Sequence, residues 1–260
     1  YLEASKVFKG HEDRMGYAQA RENVALLRVG LTGADPTEEL KLALETYRAI
    51  GNRDHELKTL YNLYCFYTST RNPSAGDTLR DIMSLVSEHR NLDQETRARV
   101  LFGILPVELP DRNDLMVLRE RLLDLKTFYK GRHEQANVAR CLRQLARVEQ
   151  VLRNTPSVRS YALELKRHVG QLPRAERMTV HSDLGFWLFR PEDPEEGLGH
   201  FWEAYDLAEG LPPPQQRSVL IVLTVVLPQA GDSLDRALHR GKARRALESA
   251  ADPATRALLR

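Results

Sequence analysis

One register recurs along this chain and restricts its fold more than any other feature. A bulky residue followed by a smaller one, with a large residue three positions on, is the pattern at Val24-Ala25, Leu63-Tyr64, Phe102-Gly103, Leu145-Ala146, Leu184-Gly185 and Leu223-Thr224. The successive intervals are 39, 39, 43, 39 and 39 residues. Self-similarity at a fixed period of this size marks an array of supersecondary units, each burying its apolar face against its neighbours.

The stretch 40–67 shows what one unit contains. Leu40, Ala43, Leu44, Tyr47 and Ile50 fall on one helical stripe, and Leu57, Leu60, Leu63, Tyr64 and Tyr67 on another. Gly51-Asn52 lies between them, and glycine tolerates the positive φ at which helices commonly stop. Asp35-Pro36-Thr37-Glu38 and Asp193-Pro194-Glu195-Glu196 read as helix starts, with a capping acid, a first-turn proline and a reciprocal Glu. Asp252-Pro253 repeats the device. No period-2 alternation bounded by hairpin turns occurs, and the β-branched run at 218–228 falls in register as a helix of the sixth unit. The fold expected is all-α: a right-handed superhelix of about six antiparallel helical hairpins, in one continuous domain over 1–260. The chain begins at Tyr1 and stops in "DPATRALLR", which reads as the opening of a helix, so a fragment of a longer protein is expected.

The small residue of the register lets the first helix of a hairpin approach its partner, while bulky neighbours fill the space between hairpins. In "LGFWLFRPEDPEEGLGHFWEAYDLAEGLP", Gly185 is the small contact, Leu184 and Leu188 the fillers, and Gly197, Phe201 and Ala204 the facing stripe. That spacing resembles the tetratricopeptide repeat. "ETYRAIGNRDHELKTLYNLYCFY" and "KVFKGHEDRMGYAQARENVALL" are similar to the slightly longer repeats of bacterial regulators of the maltose-activator type. The resemblance covers roughly residues 12–250 and departs from the repeat pattern at Tyr64, at Glu149 and at Pro106, which cuts the third unit's first helix. It implies the repeat portion of a cytoplasmic bacterial transcriptional regulator, receiving a signal beside a DNA-binding or nucleotide-switch region.

Composition excludes more than it selects. The net charge of +2 gives no push toward nucleic acid or an anionic membrane, so neither is expected as a partner of this segment. Of 38 basic residues only 8 are Lys, a bias that fits GC-rich codon usage as well as anion recognition. Cys65 and Cys141 lie 76 residues apart without metal-ligand spacing and read as small buried hydrophobes of a reducing compartment. The longest apolar run, 218–228, is far short of the ~20 residues of a membrane span. No phosphate-binding loop and no HExxH is present, and the histidines at 11, 55, 89, 133, 168, 181, 200 and 239 read as solvated or capping residues. No enzyme, metal site or cofactor is expected.

Binding is expected on the concave face, lined by the first helices. Flanking the register pair places Glu22, Asn23 and Leu26 there from the first unit, and Lys58, Tyr61, Asn62 and Cys65 from the second. Arg97 follows from the third unit, Arg140, Arg143 and Arg147 from the fourth, and Asp183, Phe186 and Phe189 from the fifth. Asn23 and Asn62 are equivalent positions able to clamp a peptide backbone. The arginines at i, i+3 and i+7, with Arg97 and Lys58, suit a carboxylate or phosphate. The plainer reading is a solvated face balanced by Glu134 and Glu149. Site residues expected are therefore Asn23, Lys58, Tyr61, Asn62, Arg97, Arg140, Arg143, Arg147 and Phe186. The partner would be a protein, a peptide or a small anionic effector. The alternative is a structural scaffold that self-associates as a homo-oligomer.

Overall fold

The computed structural model describes residues 13–89, 91–104, 109, 111–190, 192–208 and 219. Among them are ten α-helices and no strand: α1 Arg14–Thr32, α2 Thr37–Ile50, α3 Arg53–Ser69, α4 Ser74–Glu88, α5 Gln94–Gly103, α6 Arg112–Gly131, α7 Gln135–Val151, α8 Thr155–Lys166, α9 Arg174–Leu188 and α10 Glu195–Ala208. A three-residue 3-10 turn, Val169–Gln171, precedes α9. The chain divides into two compact units, residues 1–125 and 126–260, with the division inside α6. The sixth register pair, Asp252-Pro253 and Pro106 lie outside the described residues.

The helix ends repeat one device. After α2, Gly51 takes φ 73°, its N–H donates to the Arg48 carbonyl, and the Asn52 N–H reaches back to Tyr47. This closure ties up carbonyls the helix would otherwise leave without a donor. Asn52 then caps α3, its side-chain oxygen accepting from the His55 N–H at 3.1 Å. Arg71, His133 and Arg153 hold the same left-handed conformation, at φ 54°, 59° and 58°, and the next residue's N–H returns to Tyr67, Tyr129 or Glu149. A side chain with a Cβ is strained in that conformation. Arg153→Gly should therefore raise stability by roughly 0.5–1 kcal/mol, read as an upward shift of the thermal midpoint.

The two expected capping motifs behave differently. Asp35 accepts from the Thr37 N–H at 2.8 Å, and the Thr37 side chain first, then this backbone bond, hold its carboxyl below the usual range. Asp193 instead accepts from Arg190 at 2.6 Å, and Glu196 binds Lys166 at 3.1 Å and Arg159 at 3.6 Å. Charged partners from elsewhere have drawn both carboxylates away from the helix start.

Packing is sequential within each unit. In the first, α1 packs on α2, α2 on α3, and α3 on both α4 and α5. Leu40, Ala43, Leu44 and Tyr47 are buried as expected, as are Leu57, Leu60, Leu63, Tyr64 and Tyr67, while Ile50 at the helix end is exposed. The last turn of α4 is closed by buried Arg121 of α6, which donates to the carbonyls of Val86 and Ser87 at 3.3 and 3.2 Å. In the second unit α7 packs on α8, α8 on α9 and α9 on α10, and the 3-10 turn touches α7 and α9. Leu184, Leu188, Phe201 and Ala204 are buried there, with Gly185 and Gly197 at the closest approach of the two helices.

Polar contacts give the repeat a second signature. Glu22 accepts from Asn62, 40 residues on, and the Asp93 N–H donates to Asp54, 39 residues back. Lys126 binds Glu164 at a separation of 38 and Trp187 donates to Gln150 at 37. Each contact links helices one repeat apart.

Candidate functional site

In the first unit, α1, α3 and α5 carry the expected site residues, and Glu22 organises them. Its carboxylate is only 3% exposed and accepts from Tyr47 Oη at 3.3 Å and Asn62 Nδ2 at 2.9 Å, with Lys58 Nζ at 3.7 Å. Burial first, then this carboxylate, pushes the Tyr47 hydroxyl up. Asn62 and Lys58 thus turn inward to a buried acid. Asn23 is exposed, so the two asparagines do not share one environment.

Tyr61 is half-buried and lies over Gly103, where a Cβ would meet its ring. Burial, then the Cys65 thiol, pushes its hydroxyl up to about 12. Cys65, beside the Tyr61 hydroxyl one turn earlier, is exposed rather than a core residue; Cys141 is buried as expected. Arg97 is 3% exposed, and burial lowers its guanidinium, as does Arg121, against the pull of Asp124 and Asp54. It is a core cation and not a surface for a ligand.

In the second unit, the arginines of α7 meet carboxylates of α9. Glu176 takes Arg140 in a bidentate pair, Nε at 2.8 Å and Nη2 at 2.7 Å. That bond raises the guanidinium and lowers the carboxyl. Asp183 Oδ2 accepts from Arg143 Nε at 2.6 Å and Arg147 Nη2 at 3.0 Å. Burial lowers the Arg147 guanidinium, Asp183 opposes, and Arg143 adds to the lowering. Three guanidiniums therefore face two carboxylates across a half-buried seam.

Glu134 and Glu149 have other partners, Arg132 with Asn137 and Asn154 respectively. The true counterions stand 36 or 40 residues after each arginine, a signal legible once the repeat spacing is applied to charge as well as to apolar residues. Phe186, one turn beyond Asp183, is 52% exposed and stands edge-on to Phe201 at 5.0 Å between ring centres. Phe189 ends α9 in extended backbone, half-buried.

Among the described residues no group of three or more His, Cys, Asp or Glu is placed to hold a metal ion. No helix among them is long and apolar enough to cross a membrane. The arrangement offers hydrogen-bonding and apolar contacts along the first helices. No family model matches the chain, and no curated protein matches it. Among solved structures it is similar to the crystal structure of BtubC (BKLC) from P. vanneervenii, with 15% identity over 92% of this chain and 89% of that chain, and a TM-score of 0.49.

Proposed function

We propose that the chain is a non-catalytic binding module: a tetratricopeptide-like, right-handed superhelix of about six hairpins that holds a peptide or partner-protein segment on the face of its first helices. A small anionic effector is the other ligand class this reading admits. The observation that carries it is the α7–α9 seam. There, arginines and carboxylates fix two first helices side by side while a large aromatic, Phe186, is left half in water. An aromatic exposed beside an ordered polar strip is a common anchor for a partner. The resemblance of the repeats to those of maltose-activator-type regulators supports placing the module in a cytoplasmic bacterial regulator.

The test is to pan a random-sequence twelve-residue peptide library on the intact chain and measure the selected peptides against variants. Phe186→Ala combined with Arg147→Gln should weaken binding at least tenfold, about 1.4 kcal/mol, with helicity unchanged. Unchanged affinity would remove this face from the reading.

The second reading, self-association, rests on α1, whose Leu26, Leu27 and Leu31 are exposed, Leu31 at 81%. Light scattering separates the two: a dimer dissolved by Leu27→Lys with Leu31→Lys and untouched by Phe186→Ala favours the scaffold.

A further inference from the structure

His181 of α9 and His200 of α10 face each other nitrogen to nitrogen. The two Nδ1 atoms are 3.0 Å apart and the ring centres 5.2 Å. His200 is only 8% exposed. A contact of that length between two imidazole nitrogens needs a hydrogen on one and a lone pair on the other. A neutral pair satisfies it, and so does a pair carrying one extra proton on a remote nitrogen. A pair carrying two cannot, because both facing nitrogens then hold hydrogens and both rings are positive. Gly185, one turn after His181, and Gly197, one turn before His200, bring the same two helices to backbone contact and hold the two rings close together.

We propose that the His181–His200 contact is an acid-released latch that fastens α10 to α9 and lets go when both rings are protonated. The surrounding charges do little to rescue the doubly charged pair. On α9, Arg177 repels, and from the end of α8 Lys166 repels as well. On α10, Glu203 attracts His181 and Glu196 attracts His200, but Glu196 is already shared by Arg159 and Lys166. The 3-10 turn carries no titratable side chain, and Arg140, Arg143 and Arg147 of α7 are committed to Glu176 and Asp183. Burial lowers both rings, His200 to about 4 from an ordinary 6.5. A base lowered in the folded state binds its proton more readily when unfolded. Stability is therefore whole above pH 6.5 and is lost as pH falls toward 4.

The chain's two tryptophans make the latch observable, because Trp202 is buried on α10, two residues after His200. In the full chain carrying Trp187→Phe, titration from about pH 7.5 to about 3.5, past the His200 value of about 4, should shift Trp202 emission to the red. Acrylamide quenching should rise roughly twofold or more, reversibly, with a steepness above one proton and with far-UV helicity retained. In the same background His200→Gln, which keeps a neutral partner for His181, should abolish the step. A Trp202 signal flat to about pH 3.5 with His200 in place, or an identical step in the Gln variant, would overturn the latch. Should the variant fail to fold, nitrogen-15 spectra of the wild-type imidazoles decide. Coupled titration of the two rings below 6.5 supports the latch, and two independent ordinary titrations overturn it.

Discussion

Gly197→Ala should cost about 3 kcal/mol, while the same change at Gly199, two residues along the same helix, should stabilise by up to about 1 kcal/mol. A Cβ on Gly197 would sit 2.6 Å from the Phe189 Cα and 2.9 Å from the Gly185 carbonyl oxygen. Both are backbone atoms, so the clash is relieved only by moving α9 and α10 apart. A Cβ on Gly199 meets nothing within 4 Å, and alanine there gains helix propensity alone. At Gly185 the obstacle is the Phe201 ring, with atoms at 2.6–2.7 Å, and that ring is fully buried. Urea unfolding of the three variants should rank Gly199→Ala above wild type and both others below it. Equal stability for Gly197→Ala and Gly199→Ala would show that the helices do not meet at this point.

Glu22→Ala should cost about 3 kcal/mol, against less than about 1 kcal/mol for Lys58→Ala. The difference follows from burial. The Lys58 ammonium is partly exposed and 3.7 Å from the carboxylate, so water replaces what it loses. The Tyr47 side chain is wholly buried, and without Glu22 its hydroxyl has lost its acceptor. Tyr47→Phe with Glu22→Leu should recover much of the loss, because the buried hydroxyl goes together with its acceptor and the half-buried Asn62 amide is left within reach of water. A double-mutant cycle with no coupling between Tyr47 and Glu22 would contradict this account.

Periodicity made the helices legible, and it did so for a physical reason. A helix in a sequentially packed array buries one stripe, so apolar spacing alone locates it, as at Leu57, Leu60 and Leu63 or at Gly197, Phe201 and Ala204. Gly51-Asn52 also announced its turn, because its chemistry is local. The equivalent turns at Arg71, His133 and Arg153 were invisible, since an ordinary residue and not a glycine holds the left-handed conformation there. Polar partners were legible least. Position on a helix face says that Arg143 and Glu22 look toward a neighbouring first helix. Whether that neighbour offers water or a carboxylate depends on a residue about one repeat away, so Asp183 and Asn62 decide the outcome. The histidines failed for the same reason: His181 reads as solvated until α10 brings His200 against it.

The polar contacts spaced 36 to 40 residues apart bear on how such a chain changes over evolutionary time. Arrays held by apolar stripes alone gain or lose a module freely, because any module's face fits the next. Here the α1–α3 and α7–α9 joints are keyed. Excising the stretch that carries Asp183 and Glu176 would leave Arg140, Arg143 and Arg147 facing a successor with no matching acids, and excising the one with Asn62 would strand Glu22. Modules of this protein are therefore not interchangeable parts. Their order is written into the charges, and duplication must carry both halves of a key or be followed by repair at the new seam.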